Sequence, residues 1–188
     1  DEAHNRDMKV AAHAHWLDGI KAAILAGVDS IEHSSLIDQE TIELAKAKGV
    51  FLSMDIYVSD FILGEGVKQG IPEYSLNKER QVGKKQRENF QKAVKANAKI
   101  VFGTDAGIYP HGKNARQFNY MVRWGMTPLQ AIQAATINTA SLFGIPNIGR
   151  IKESFEADII GVKGNPLEDI TRLEDVAFVM NNGIVIKQ

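Results

Sequence analysis

Four side chains able to hold a metal ion stand where short apolar runs give out. His13 and His15 follow Val10-Ala11-Ala12, His33 follows Ser30-Ile31-Glu32, and Asp105 follows Ile100-Val101-Phe102-Gly103-Thr104. The chain has no cysteine, so any metal must be held by nitrogen and oxygen. Neutral imidazole with carboxylate is a donor set suited to zinc and similar divalent ions. Such an ion lowers the pKa of a water to about 7, and a nearby carboxylate can collect the proton as that water attacks a carbonyl. Asp105 is therefore the candidate for two tasks, ligand and proton acceptor. His13 and His33 are the candidate imidazole ligands. His15 lies two residues beyond His13 and shares its strand face if the strand continues that far; it is read as a substrate contact. Glu32, next to His33, is expected to point the other way, toward the helix layer or a neighbouring polar group. In the loop after Asp105, His111 reads either as a hydrogen-bond partner of a substrate carbonyl or carboxylate or, equally, as a solvated loop histidine. Tyr57 and Arg116 are weaker substrate-side candidates, with packing and a surface ion pair as their favoured readings.

These positions need a scaffold that aligns strand ends. The strand ending near His13 leads to an apolar-periodic helix over 19–26 that stops at Gly27. The strand ending near His33 leads to a helix capped by Asp38 and stopped at Gly49. A third strand is expected over 50–57. A spacing of about 20 residues is that of a minimal strand–helix unit, and repeated units imply a parallel sheet. Carboxyl ends of parallel strands share the face that carries chemistry. On this reckoning His13 and His33, one period apart, occupy equivalent positions on neighbouring strands.

The later elements are less regular. Glycines and Pro72 in 58–75 predict a long loop, and 76–98 reads as a charged helix lying in solvent. A helix is expected over 114–124. The next one begins with Thr127 as N-cap, Pro128 in the first position and Gln130 completing a capping box, and should run on to Gly144. From Ile148 the texture changes to short β-type runs broken by turns, and Asn182-Gly183 is a strong hairpin signal. Two domains are expected, 1–147 and 148–188.

The bulk numbers narrow the function classes. A formal charge of −1 lacks the basic excess that nucleic-acid or membrane-surface binding needs, so neither partner is expected. No apolar run reaches the roughly 20 residues of a membrane span. The start, Asp1-Glu2-Ala3-His4, has neither an initiator Met nor a signal-peptide pattern. It reads as the end of a helix entered midway. The expectation is a piece of a longer soluble protein, its compartment left open.

Several motifs carry a family likeness. VAAHAH, AGVDSIEHSSLID, FGTDAG with YPHG after it, MTPLQAIQAAT and the closing FEADIIGVKGNPLEDI…VMNNGIVI together resemble the second half of a metal-dependent amidohydrolase. The branch is the imidazolonepropionase-like one containing Xaa-Pro dipeptidases and arginine/lysine carboxypeptidases. The resemblance implies an α/β fold: strands five to eight of a (β/α)8 barrel, followed by the C-terminal strands of a small β-sandwich. It implies one or two divalent metals, often zinc. His13 matches the fifth-strand metal histidine, His33 the sixth-strand one and Asp105 the eighth-strand aspartate that ligates metal and shuttles the proton. Where deaminase members resemble His-Ala-Glu, this chain has His15, which favours amide or peptide hydrolysis over deamination. The family's first-strand His-x-His and fourth-strand lysine have no counterpart, and Asp1 falls in the helix after that fourth strand.

The activity so implied is cleavage of a dipeptide or N-acyl amino acid. The chain alone is expected to be inactive, and to pair with its missing half or with a second copy of itself. A non-catalytic half-barrel, and an enzyme acting on lactones, ureas or cyclic amides, are the alternatives.

Overall fold

The structure, a computed structural model, describes residues 2–188. Four parallel strands lie side by side in chain order: β1 (Ala11–Ala14), β2 (Ser30–His33), β3 (Phe51–Ser53) and β4 (Ile100–Val101). Between and after them come α1 (Leu17–Ala26), α2 (Gln39–Lys48), α3 (Val58–Glu65), α4 (Glu73–Lys95), α5 (Arg116–Arg123), α6 (Pro128–Ala135) and α7 (Ile137–Phe143). The caps are those the sequence announces. The Asp38 carboxylate accepts the Thr41 N–H at 2.8 Å, and Gly27 and Gly49 close α1 and α2 at positive φ. At the chain start the expected helix end is a single 3-10 turn, His4–Arg6. Asp1, assigned to that same helix end, lies outside the described residues.

Alternation along the strands separates two faces. Ile31, Leu52 and Ile100 point to the helices, where they join Ile20, Ile24, Ile42, Phe90, Met121, Ala131 and Ala134 in one buried core. The opposite face is polar. The register pairs His13 with Glu32 and Glu32 with Ser53, which sets these three in a row across the sheet.

Three expectations change at this level. Residues 58–65 are helical rather than loop, and α3 packs against α4. Arg87 Nη1 donates to Asp60 Oδ1 at 2.7 Å, Ser59 Oγ donates to Glu79 Oε1, and a Cβ at Gly83 would collide with the Ser59 side chain. The third strand stops at Ser53 instead of Tyr57. The helix begun at Thr127 does carry its capping box, but it breaks at Thr136. Thr136 and Thr139 hydroxyls donate to the carbonyls of Ile132 and Ala134 near the break. Ala134 O also accepts Phe102 N–H, while Asn138 Nδ2 donates to Ile100 O. The break thus lets α6 and α7 satisfy the backbone at the edge strand β4.

The last residues form an antiparallel sheet of β5 (Ile159–Val162), β6 (Val176–Asn181) and β7 (Ile184–Lys187). Asn182 and Gly183, both at positive φ, make the hairpin turn. A 3-10 segment, Ile170–Glu174, buries Ile170 and Leu173, and Glu174 faces Arg116 of α5 at 3.8 Å. Among the described residues no helix is long and apolar enough to cross a membrane.

Candidate metal centre

His13 belongs to the polar face by simple alternation, since Ala12 and Ala14 pack toward the core. His33 does not. Its strand partner is Ala14, one position out of step with His13, and alternation would send its side chain to the helices beside Ile31. The expected equivalence of the two histidines therefore fails by one residue. The backbone corrects it: His33 and Ser34 take φ of 71° and 49°, left-handed conformations that L-residues rarely adopt. The turn returns the His33 ring to the polar face, with its Nε2 3.0 Å from Nδ1 of His13. Glu32, expected to face away, lies on the polar face instead and accepts a hydrogen bond from Ser30 Oγ at 2.7 Å.

A cavity of about 190 Å³ is walled by His13, Glu32, His33, Ser53, Asp55, Gly103, Thr104 and Asp105. Gly103 is required there, because a Cβ would overlap Ser53 Oγ. A second cavity, of about 220 Å³, adjoins the same histidines and Asp105, and its lining adds apolar Val58, Ile62, Val82 and Ile108 to the polar Glu79 and Gln86. Of the residues singled out in the sequence, His13, His15, His33 and Asp105 come together. His111 sits exposed on its loop, outside the walls of both cavities. Tyr57 is buried in an aromatic cluster with Phe61, Tyr109 and Tyr120, and its hydroxyl receives Arg116 Nη1 at 3.3 Å. Arg116 also makes the surface ion pair with Glu174.

The residue that local sequence reasoning missed is Asp55. Two positions beyond β3, it is 4% exposed, and its Oδ1 lies 3.0 Å from His33 Nδ1. A carboxylate there accepts a hydrogen bond from Nδ1–H and leaves Nε2 with a free lone pair, the usual way a ligand imidazole is oriented. The available signal was a charged residue inside the otherwise apolar stretch 50–58. His15 Nδ1 meets Ser35 Oγ at 2.8 Å, and its ring stacks on His33 at 4.4 Å between centroids.

Electrostatics give each group a distinct character. Burial, aided by the charges of His33 and His13, lowers the pKa of His15 to about 4, so it is a neutral imidazole at pH 7. Burial opposes protonation of His33, but the hydrogen bond and charge of Asp55 outweigh it and raise the pKa. Burial and the Asp55 charge raise the carboxyl of Asp105, against the pull of His33 and His13.

Two sets of donors meet at His33. One is His13, His15 and His33; the other is His33, Asp55 and Asp105; within each, one ligand atom per residue lies within 4.8 Å of the others. Tetrahedral ligands about 2.05 Å from zinc stand roughly 3.3 Å apart, so small side-chain movements bring either set to coordinating distance. The donors are nitrogen and oxygen only, and the shared imidazole is already oriented by Asp55. The residues fit a divalent ion.

A parallel α/β sheet with imidazoles and carboxylates gathered at its carboxyl strand ends defines a protein with a metal-competent strand-end site. The amidohydrolase family's sequence profile matches residues 1–187, and the chain belongs to that family. It is 37% identical over 194 residues to ochratoxinase of Aspergillus niger, covering all of this chain and 40% of that protein. Among solved structures it resembles a Xaa-Pro dipeptidase with methionine bound in its active site, at 42% identity and a TM-score of 0.93, over 99% of this chain and 46% of that one. It also resembles a prolidase complexed with N-methylphosphonate-L-proline, at 29% identity and a TM-score of 0.93, covering 100% and 47%. The chain thus spans less than half the length of these relatives.

Proposed function

We propose that the chain is the second half of a metal-dependent hydrolase of amide or peptide bonds, dipeptidase- or carboxypeptidase-like. The observation that carries this reading is the gathering of His13, His33 and Asp105 around one cavity at the carboxyl ends of parallel strands, with ligand-spaced donors meeting at His33. His13, His33 and Asp105 would hold the ion, zinc being the metal that suits them. When bound, the ion supplies an activated water and polarises the scissile carbonyl. Asp105 accepts the proton of the attacking water and returns it to the leaving amine. Asp55 fixes the His33 ring. His15, neutral and stacked on His33, presents an imidazole to the substrate, whereas His111 and Tyr57, which line neither cavity, are left out of the substrate contacts. The apolar side chains of Val58, Ile62, Val82 and Ile108 favour a substrate with an apolar group beside the scissile bond.

In this reading β1 to β4 are strands five to eight of a (β/α)8 barrel. Residues 1–147 belong to that barrel and 148–188 to a β-sandwich beside it. Both outer strands, β1 and β4, then have an open edge that needs a partner. The missing half, or a second copy of the chain, covers them, and the 188 residues alone are inactive. The likenesses to a Xaa-Pro dipeptidase and a prolidase support a peptide substrate. The test uses the intact gene product: zinc content by elemental analysis, and hydrolysis of dipeptides and N-acyl amino acids. Stoichiometric zinc with turnover is the expected result. No zinc and no turnover after zinc addition would overturn the reading.

A further inference from the structure

Helix α4, which reads from sequence as a solvated charged helix, buries two amides under the site. Gln86 is 4% exposed and Asn89 is 8% exposed, and they lie three residues apart on one helix face. Gln86 Nε2 donates to Asp55 Oδ1 at 3.0 Å and approaches His33 O at 3.4 Å. Asn89 Nδ2 donates to Ser35 O at 3.0 Å. The same Asp55 oxygen faces His33 Nδ1 at 3.0 Å. One amide group therefore touches both the carboxylate that orients the ligand ring and the carbonyl of the left-handed turn that carries it.

We propose that Gln86 is a positioning residue for the metal site, acting through Asp55 to hold His33 in the tautomer and direction that ligation requires. The proposal rests on the metallohydrolase reading above. Its physical basis is that a carboxylate with one oxygen bonded only to an imidazole can swing about its Cβ–Cγ bond. A second donor on that oxygen, fixed to a helix, removes the freedom. With Nδ1–H directed at Asp55, the His33 Nε2 lone pair points to His13 and the cavity. Without Gln86 the carboxylate is free to turn, and the ring can exchange tautomers and present an N–H where the ion should sit. Gln86 also lines the second cavity, but its amide nitrogen is taken up by Asp55 and the His33 carbonyl.

The test is made on the intact gene product, with zinc as the probe. Gln86→Leu fills similar space and removes the donor. Loss of an outer partner of a ligating histidine costs about 10–100-fold in metal affinity, and a drop in that range is expected by chelator competition. The thermal midpoint of the metal-free protein should stay within a few degrees of wild type. In 15N spectra of metal-free protein, His33 should appear as the Nδ1–H tautomer in wild type and as a mixture in Gln86→Leu. Asp55→Asn should weaken zinc binding too, and adding Gln86→Leu to it should change nothing further, because the amide acts through the carboxylate. Additive losses, or unchanged zinc affinity in Gln86→Leu, would overturn the proposal while leaving the metallohydrolase standing. A wild-type protein that binds no zinc would overturn the metallohydrolase reading itself.

Discussion

The outer face of the parallel sheet buries Ile31, Leu52 and Ile100 beneath helices, whereas the inner face sets His13, Glu32 and Ser53 around a cavity of about 190 Å³. Both faces come from the same sheet of four short strands. On the outer face side chains interlock, and alternation alone decides what is buried. On the inner face polar groups are held by hydrogen bonds, and where alternation would turn His33 toward the helices the backbone bends to correct it. Stability therefore belongs to one side of the sheet and chemistry to the other.

That division can be broken or sharpened by substitution. Leu52→Ala, on the outer face, removes a fully buried side chain and should cost about 2–5 kcal/mol of unfolding free energy in a denaturant titration. A loss below about 1 kcal/mol would mean that the outer face is not the stabilising one. Thr127→Ala removes the capping box of α6, a helix that helps to cover this face. A loss of about 1 kcal/mol, read the same way, is expected.

A smaller effect should appear in acid. The carboxylate of Asp29 receives Val10 N–H at 2.8 Å, Lys9 Nζ at 2.9 Å and His4 Nε2 at 2.8 Å, tying the chain before β1 to the start of β2. Burial pushes its pKa up, but these bonds outweigh burial and bring it down to about 2, against 3.8 as the ordinary value. The depressed carboxyl stabilises the fold fully above about pH 4, and that contribution is lost as pH falls toward about 2. Asp29→Asn should flatten this part of the stability curve. An unchanged acid limb would show that the tie contributes nothing. The smallest stability effect is expected from His13→Ala on the exposed inner edge, within about 0.5 kcal/mol of wild type. The same variant should lose zinc in the intact gene product, and retention of stoichiometric zinc would remove His13 from the ligand set.

Much of the outer face was legible in the sequence because it obeys local rules. The caps at Asp38 and Thr127, the glycine stops and the strand–helix period all act over a few residues. His13, His15, His33 and Asp105 could be singled out because each follows an apolar run. What escaped depends on distant partners. Asp55 gains its role from His33, 22 positions earlier, and from Gln86, 31 later. The direction of Glu32 and the register of His33 depend on a left-handed turn at two residues that are not glycine. Helix α3 was hidden by Gly64 and Gly66, which read as loop although Phe61 and Val58 anchor a real helix.

The turn at residues 33 and 34 bears on how such a site could be moved to another protein. Copying His13, His33, Asp55 and Asp105 onto a regular parallel sheet at matching registers would aim the second imidazole into the helices of the host. The portable unit is larger than its ligands. It comprises the reversed backbone at two positions and the pair of helix amides that grip the carbonyls on either side. A design that transplants residue identities alone would reproduce the composition of the site and none of its aim.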